Sequence, residues 1–475
     1  MKIIDHIYID GAFVTPHGAE SFALFNPATE EKIGEVRLGD AQDARMAIAA
    51  AKRAFPAMRR TTPEERIAML YALRDAVAAK HDALYAAMAE EYGAPQSFLG
   101  FAIPHAAQVF EEAAKTVANY PFSRRIGNTE VIMEPVGVAV AITPWNSNIS
   151  FICTKLATAI AAGTTIVIKP SEMSAIQTQA VLEALHEAGL PKGVFNVVNG
   201  YGHVVGTELS ESPDVAKITF TGSTATGKSI LRSAAETFKR VTLELGGKGP
   251  QILLDDANLD EAIPNILASA FRNSGQACIA GTRLLVPAHQ LETVTERLRD
   301  AVSAVKAGPS SDPSSEIGPM VSAKQWERVQ SYIRLGHEEG AQVLVGGEGR
   351  PDGVARGWFV RPTVFIGVTN EMRIAREEIF GPVLTVISYR DDDEAIAIAN
   401  DTEYGLASYI LGTNADRMRR VARQLEAGRI VINEKPMDPQ APFGGFKHSG
   451  VGREFGAFGL EAFLEPKAVL AADAL

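Results

Sequence analysis

In the first quarter of the chain the apolar spacing is helical. Thr62-Pro63-Glu64-Glu65 reads as a capping box with proline at the first helical position, and apolar residues continue at helical spacing through Ala89 to a stop at Gly93. Further on, short β-branched runs alternate with helical stretches. Strands are predicted over Val136–Ile142, Thr164–Ile168, Val194–Val198 and Lys217–Thr221, with helices running to Ala162 and Ala188 between the first three. Near-continuous apolar strands separated by helices describe a parallel sheet covered on both faces. The pattern then restarts, with strands at Ile252–Leu254, Arg283–Val286, Gln342–Val345, Val383–Ser388, Ser408–Leu411 and Ile430–Ile432. Two α/β lobes follow, with a boundary near Gly246-Gly247. Most of the first strands end in Gly, Pro, Ser or Asn, and open α/β sheets bind ligands at that carboxyl edge.

Composition narrows the picture. With 475 residues, 46% hydrophobic and 22% charged, the chain can bury sizeable cores without disulfide or metal staples. Lys plus Arg number 46 against 57 Asp plus Glu, and the resulting charge of −11 repels phosphate backbones and anionic lipid. Neither nucleic acid nor a membrane is an expected partner. The longest uncharged stretch, Pro135–Thr154, is interrupted by Pro144 and Asn146-Ser147-Asn148, which a bilayer does not accommodate. The two cysteines, Cys153 and Cys278, are too sparse for a disulfide framework and fit a reducing compartment. Asp5 and Asp10 stand where a signal peptide needs an apolar core, so a cytoplasmic location is expected. No His-x-x-x-His or Cys-x-x-Cys spacing occurs, and no metal site is expected.

Four motifs carry candidate chemistry. Gly222-Ser-Thr-Ala-Thr-Gly-Lys-Ser229 follows a strand and opens a helix, matching a phosphate loop. A glycine-rich turn at a helix N-terminus attracts phosphate whatever chemistry follows, so nucleotide hydrolysis and dinucleotide binding both stay open. Cys278 lies in Ser274-Gly-Gln-Ala-Cys-Ile-Ala-Gly-Thr282, among small residues that let a substrate approach the sulfur. A structural cysteine is the other reading. Cys153, in the apolar helix around Ile149–Leu156, reads as core. Glu244 and Asn146 sit at strand ends in Glu244-Leu-Gly-Gly-Lys248 and Thr143-Pro-Trp-Asn146. They suit a base and an oxyanion donor, or ordinary turn residues.

The ordered set resolves these ambiguities. Thr143-Pro-Trp-Asn146, Lys169-Pro-Ser-Glu172, Phe220-Thr-Gly-Ser223, Glu244-Leu-Gly-Gly-Lys248, Gly275-Gln-Ala-Cys278, Glu377-Glu-Ile-Phe-Gly-Pro382 and Pro442-Phe-Gly-Gly-Phe446 occur in that order along nearly the whole chain. This set resembles the NAD(P)-dependent aldehyde dehydrogenase family. The resemblance implies two Rossmann-like open parallel-sheet lobes plus a small β bridging element. Residues 1–118 and 136–246 would form the cofactor-binding domain, 247–450 the catalytic domain, and 119–135 with 451–475 the oligomerisation segments. It implies that Cys278 is the nucleophile, Glu244 the general base and Asn146 the oxyanion donor. It places Thr143, Trp145, Lys169, Glu172, Gly202, Gly222, Ser223, Glu378 and Phe380 at the cofactor, with Lys155 and Glu454 as a supporting proton relay. Taken alone, Lys155 reads equally as a snorkelling lysine.

The implied reaction is oxidation of an aldehyde to the acid through a cysteine thioester, in a homodimer or homotetramer. Glu172 favours NAD, while Lys169 and Ser171 could tolerate NADP. A coenzyme-A-acylating relative and a phosphate-loop NTPase are the alternatives. Ser147, where the family often has an aromatic residue, and the polar stretch Glu434–Asp438 suggest a more polar substrate. Segments 119–135 and 461–475 are expected to pair across subunits by strand addition.

Overall fold

The computed structural model describes residues 1–433, 435 and 437–470; Glu434 and Pro436 of the expected substrate entrance and residues 471–475 of the expected bridging segment lie outside it. Five parallel strands form the centre of the first lobe. β1 (Val138–Ile142), β2 (Thr165–Lys169), β3 (Phe195–Val197), β4 (Lys217–Thr221) and β5 (Arg240–Glu244) lie in the order β5-β4-β1-β2-β3. Every residue of β1, β2 and β4 is buried, and β1 and the centre of β2 accordingly run apolar without alternation, while β4 alternates polar and apolar side chains. The strand order reverses between β1 and β4, and the crevice at their carboxyl ends is where such sheets take a ligand. Helices α1 (Asn148–Ala162), α2 (Ala175–Glu187) and α3 (Thr224–Ala235) connect them. Antiparallel strands Ile7–Ile9 and Ala12–Val14 extend one edge, and Gly450–Val451 pairs with β5 at the other.

The second sheet holds β6 (Pro250–Leu253), β7 (Arg283–Pro287), β8 (Gln342–Val345), β9 (Thr363–Ile366), β10 (Val383–Tyr389), β11 (Ala407–Leu411) and β12 (Arg429–Ile432). Their order is β8-β9-β10-β7-β6-β11-β12, parallel throughout except between β8 and β9. The sequence pattern misses β9, a four-residue strand between Pro362 and Gly367. It also misses a small sheet of Lys2–Ile4, Lys32–Arg37 and Ser21–Phe25, whose strands are partly exposed.

The predicted N-terminal helix is two. The capping box forms as read, with Thr62 accepting from the Glu65 amide and Glu65 accepting from the Thr62 amide at 2.7 Å. The first helix, Pro63–Ala79, stops at Lys80 (φ −101°, ψ 15°), and a second runs from His81 to Glu91. The break brings the carboxylate of Glu91 onto the first turn of α2, where it accepts from the Ile176 and Gln177 amides at 2.8 and 3.0 Å. Complete burial nevertheless pushes this carboxyl up to about 7.

The bridging segments form a small sheet of their own. Strands Ser123–Ile126 and Thr129–Pro135 form a hairpin, and Leu464–Leu470 pairs antiparallel along Thr129–Pro135 within the same chain. Their mutual pairing satisfies the central strand internally. The edges left for a partner are Ser123–Ile126 and Leu464–Leu470.

Candidate active site

The carboxyl ends of β1, β4 and β5 deliver Thr143, Gly222 and Glu244 to one crevice. At β1 the Thr143 amide donates to the Lys169 carbonyl at 3.0 Å, so the Thr143-Pro-Trp-Asn146 loop begins beside the end of β2. At β4, Gly222 donates to the Glu244 carbonyl at 3.0 Å, and Ser223 caps α3 by accepting from the Thr226 amide at 3.3 Å. The phosphate-loop pattern thus forms a strand–turn–helix junction, but Lys228 points out as an exposed residue on α3. Lys169 is buried and donates to the half-buried Glu172 at 3.3 Å; burial lowers its pKa and Glu172 opposes the shift. Gly202 is exposed at the start of a short π-helical turn after β3, whereas Gly200 is the glycine whose added Cβ would meet Val205.

The Cys278 loop is strained and heavily tied down. Asn273 and Ser274 adopt left-handed backbone (φ 51° and 59°), followed by Gly275 at φ 73°. Each such non-glycine residue costs roughly 1–2 kcal/mol. Ser274 Oγ accepts from the Gly318 amide at 2.8 Å, and Gln276 Oε1 accepts from the Val321 amide at 3.0 Å. Gln276 Nε2 donates to the Pro319 carbonyl at 3.2 Å and to the Tyr92 hydroxyl at 3.3 Å. A Cβ at Gly275 would collide with the carbonyl of Gly381, so the loop packs directly on the Gly381-Pro382 backbone just after Phe380. Ser274, Gln276 and Tyr92 were not singled out by sequence, since their partners lie 43 to 184 positions away.

Asn146 reaches this loop. Its buried Nδ2 donates to the Gln276 carbonyl at 2.9 Å, and Asn273 Nδ2 donates to the Asn146 carbonyl at 3.0 Å. An amide NH2 carries two protons, so one remains for an oxyanion. Cys278, half-buried, is opposed by burial and by the charges of Glu378 and Glu244, which push its thiol up to about 12. Cys153 is fully buried in α1, as its sequence context predicts.

Glu244 is buried, and neither carboxylate oxygen has a hydrogen-bond partner among the described residues. Burial and then the charge of Glu454 hold its pKa well above the usual carboxylate range. A Cβ at Gly444 would lie 2.7 Å from Glu244 Oε1, placing the Pro442-Phe-Gly-Gly445 turn against this carboxylate. Glu378 accepts from the Gly247 amide at 2.9 Å and is pushed up to about 7 by burial. Phe380, at φ 63°, meets Trp145 edge-on at 5.5 Å, and Trp145 tilts against Tyr92 at 6.0 Å. Lys155 is buried and paired with Glu454, and it donates to Thr219 Oγ1 at 2.8 Å, so the snorkelling reading fails. Three further buried lysines went unnoticed in the sequence, Lys217, Lys239 and Lys248.

The donor set also suits a dinucleotide. Thr143 Oγ1 and Thr221 Oγ1 are buried without partners among the described residues, at the switch point and beside the N-terminus of α3. Among those residues no group of three or more His, Cys, Asp or Glu is placed to hold a metal, and no helix is long and apolar enough to cross a membrane.

Two doubly wound lobes, a cysteine on a braced loop and an unpartnered carboxylate at a strand end define a dehydrogenase-type α/β protein. The Aldehyde dehydrogenase family profile matches residues 13–469. The chain belongs to the aldehyde dehydrogenase family. It is 44% identical over 467 residues to a putative aldehyde dehydrogenase of Staphylococcus aureus (strain bovine RF122 / ET3-1), covering 97% of this chain and 98% of that one. Among solved structures it is similar to an aldehyde dehydrogenase C variant from Pseudomonas syringae complexed with NAD+ and octanal, with TM-score 0.97, 42% identity and coverage of 99% and 98%. Mycobacterium tuberculosis aldehyde dehydrogenase complexed with NAD+ is similar at TM-score 0.96 and 39% identity, with coverage of 99% and 98%.

Proposed function

We infer that the protein oxidises an aldehyde to its carboxylic acid with NAD, and that Cys278, Glu244 and Asn146 carry the reaction. The observation that carries the reading is the buried, unpartnered Glu244 carboxyl, whose charge reaches the Cys278 thiol. Burial and the charges of Glu378 and Glu244 raise the Cys278 thiol, while burial and the charge of Glu454 raise the Glu244 carboxyl. A carboxyl raised by burial, whose charge reaches the thiol, is suited to taking up the proton that the thiol or a water gives up.

Cys278 attacks the carbonyl as thiolate, giving a tetrahedral adduct whose oxygen takes the free Asn146 N–H and the Cys278 amide. Loss of one such donor typically costs about 2.7–4 kcal/mol. NAD, when bound, supplies the hydride acceptor. Lys169 and Glu172 would hold its adenosine ribose, Gly202, Gly222 and Ser223 its pyrophosphate, Thr143 and Trp145 the neighbouring wall, and Glu378 and Phe380 the nicotinamide riboside. The resulting thioester on Cys278 is hydrolysed by water that Glu244 deprotonates. This step separates the reading from thiol-dependent acylation of coenzyme A, which needs no hydrolytic base.

In the architecture proposed here, residues 1–118 and 136–246 bind the cofactor and 247–450 carry catalysis, although Gly450–Val451 adds to the first lobe's sheet. The free edges at Ser123–Ile126 and Leu464–Leu470 support a homodimer or homotetramer in the cytoplasm, which light scattering tests directly. Ser147 supports a substrate more polar than the octanal held by the Pseudomonas relative. An aldehyde panel that includes octanal, followed by the absorbance of reduced cofactor, ranks the candidates. The decisive variant is Glu244→Gln. It is expected to release one rapid equivalent of reduced cofactor per site and then turn over very slowly, with the acyl group on the Cys278 peptide. Normal steady turnover would remove Glu244 from the mechanism.

A further inference from the structure

One stripe of α1 stays open. From Ser147 to Ala162 only Ser147, Phe151 and Thr158 keep appreciable exposure. Helical spacing puts these three on one face, and Thr154 lies between Phe151 and Thr158 on the same stripe. The stripe begins one residue after Asn146 and runs beside the helix Gln96–Asn119, where Ser150 Oγ donates to the Ala102 carbonyl at 3.1 Å. Two turns along, a cavity lies between the two helices. Val109, Ala157, Phe455 and Leu460 give it apolar walls, and His105 and Thr154 also line it. It holds about 40 Å³, room for about three water-sized groups, so it takes the end of a chain and not a ring. Gln440 fastens the C-terminal turn beside it, donating to the Glu112 carboxylate at 2.7 Å and accepting from Thr116 Oγ1 at 2.9 Å. The Phe455 ring meets Phe443 at 5.7 Å, and Phe443 belongs to the turn packed against Glu244, so one wall of the cavity continues into the catalytic crevice.

Two polar groups of this cavity are left without partners. A threonine inside a helix commonly returns its hydroxyl to the carbonyl four residues back. Thr158 does so to Thr154 at 3.0 Å, and Thr116 to Glu112 at 3.0 Å. Thr154, only 7% exposed, makes no such bond. Neither its hydroxyl nor the His105 imidazole has a hydrogen-bond partner among the described residues. The imidazole is held flat against the Phe101 ring, at 5.2 Å and 14°. Burial holds His105 below the usual imidazole range, so at neutral pH it offers one donor and one acceptor without charge. The Glu112 carboxylate, by contrast, is already engaged by Gln440 and by Lys115 at 3.0 Å. What the cavity offers a ligand is therefore uncharged hydrogen bonding within apolar walls, with a negative charge at its rim.

We propose that this cavity receives the far end of the aldehyde, and that His105 and Thr154 select a chain ending in an uncharged hydroxyl. The proposal rests on the oxidation at Cys278 inferred above. With the carbonyl held at Asn146, the chain lies along the Ser147–Phe151 stripe. Thr154 stands six residues beyond Asn148, a rise of roughly 9 Å, the span of about seven carbon–carbon bonds. A saturated aldehyde of about eight carbons thus brings its last atoms to the cavity. A terminal hydroxyl there can donate to one of the two waiting groups and accept from the other. A terminal methyl leaves both unpaired in a buried place, which costs binding. A terminal carboxylate is repelled by Glu112.

Oxidation of 8-hydroxyoctanal beside octanal, followed by the absorbance of reduced NAD, tests this. The hydroxyaldehyde should show the higher kcat/KM by about tenfold, chiefly through a lower KM. Thr154→Val keeps the shape and removes the hydroxyl. It should lower kcat/KM for 8-hydroxyoctanal about three- to tenfold and raise it for octanal, so that the preference shrinks or inverts. His105→Phe keeps the stack on Phe101 and should move the two substrates in the same opposite directions. A second measurement needs no variant: the advantage of a terminal hydroxyl should be large at eight carbons and absent between dodecanal and 12-hydroxydodecanal. An unaltered enzyme that prefers octanal or 8-oxooctanoate to 8-hydroxyoctanal would overturn the proposal. So would equal losses on both aldehydes in both variants, which mark packing only. Absence of oxidation across the whole aldehyde panel would take down the underlying reading; good oxidation of octanal with an unchanged substrate ratio in both variants overturns only the roles of His105 and Thr154.

Discussion

No side chain fits between Gly247 and the carbonyl oxygen of Cys278: a Cβ built on Gly247 would collide with that oxygen. The glycine's amide meanwhile donates to Glu378 at 2.9 Å. One residue thus brings the end of the Glu244 strand, the nucleophile loop and the expected nicotinamide-side carboxylate into contact. Gly247→Ala should displace the backbone of Cys278 by several tenths of an ångström or more. Misplacement on that scale can cost about a hundredfold in rate, and we expect kcat to fall by about that factor. Stability should change much less, because Gly247 does not need left-handed backbone. Thermal melting with steady-state kinetics checks both, and near-normal kcat would show that the loop yields freely.

The Cys278 thiol, pushed up to about 12, is protonated in the free enzyme at neutral pH. Its alkylation by iodoacetamide should therefore climb from about pH 7 to about pH 10 without a plateau, because the thiolate is the reactive form. The charge of Glu244 is one of the causes that raise this pKa. Removing it in Glu244→Gln should move the titration down and speed alkylation at about pH 9. Slower alkylation in the variant would mean that Glu244 takes the thiol proton before any substrate arrives. Cys153, fully buried, should stay unlabelled in either protein, which peptide mass spectrometry reads.

How far the sequence reached depended on whether a signal was local. β1, β2 and β4 were readable because they are buried on both faces, so a short β-branched run between helices has no competing interpretation. The break at Lys80 was not, since Val77-Ala-Ala-Lys-His-Asp82 contains no glycine or proline to mark it. Lys2–Ile4 and Lys32–Arg37 escaped because half-exposed polar strands carry little hydrophobic periodicity. At the site, Cys278 and Glu244 stood out through their glycine-flanked motifs. Gln276 sits within the same motif, yet its partners at Tyr92, Pro319 and Val321 exist only once the two lobes are folded together. Lys217 needed a register: alternation places it with Thr219 on one face, but only the folded chain shows that this face is buried.

Cofactor choice turns on Lys169 and Glu172. The buried ammonium donates to a half-buried carboxylate 3.3 Å away, and burial lowers the lysine's pKa against the pull of Glu172. A carboxylate there accepts from a ribose 2′-hydroxyl and repels a 2′-phosphate. NAD should give the higher kcat/KM. Glu172→Gln should narrow the preference by removing the repulsion and leaving Lys169 available to the phosphate. An unaltered enzyme that uses NADP as well as NAD would contradict this.

Asn146 has two jobs that mutation can separate. Its amide tethers the nucleophile loop through the Gln276 carbonyl at 2.9 Å, and its second N–H is the proposed oxyanion donor. Asn146→Ala removes both, and should lower kcat/KM by about 10²–10³-fold, the loss seen when an oxyanion donor is deleted. Asn273→Gly removes only bracing, the bonds from its Nδ2 to the Asn146 and Gln276 carbonyls at 3.0 and 3.2 Å. Glycine at that position keeps the φ of 51° at no steric cost, so the backbone has no reason to change course. The loop should loosen, with a fall in kcat/KM of about tenfold or less and a modest drop in melting temperature. NAD affinity, measured by fluorescence titration, should be unchanged in both. Equal losses in the two variants would assign Asn146 to bracing, and the Cys278 amide would then be the principal donor to the oxyanion.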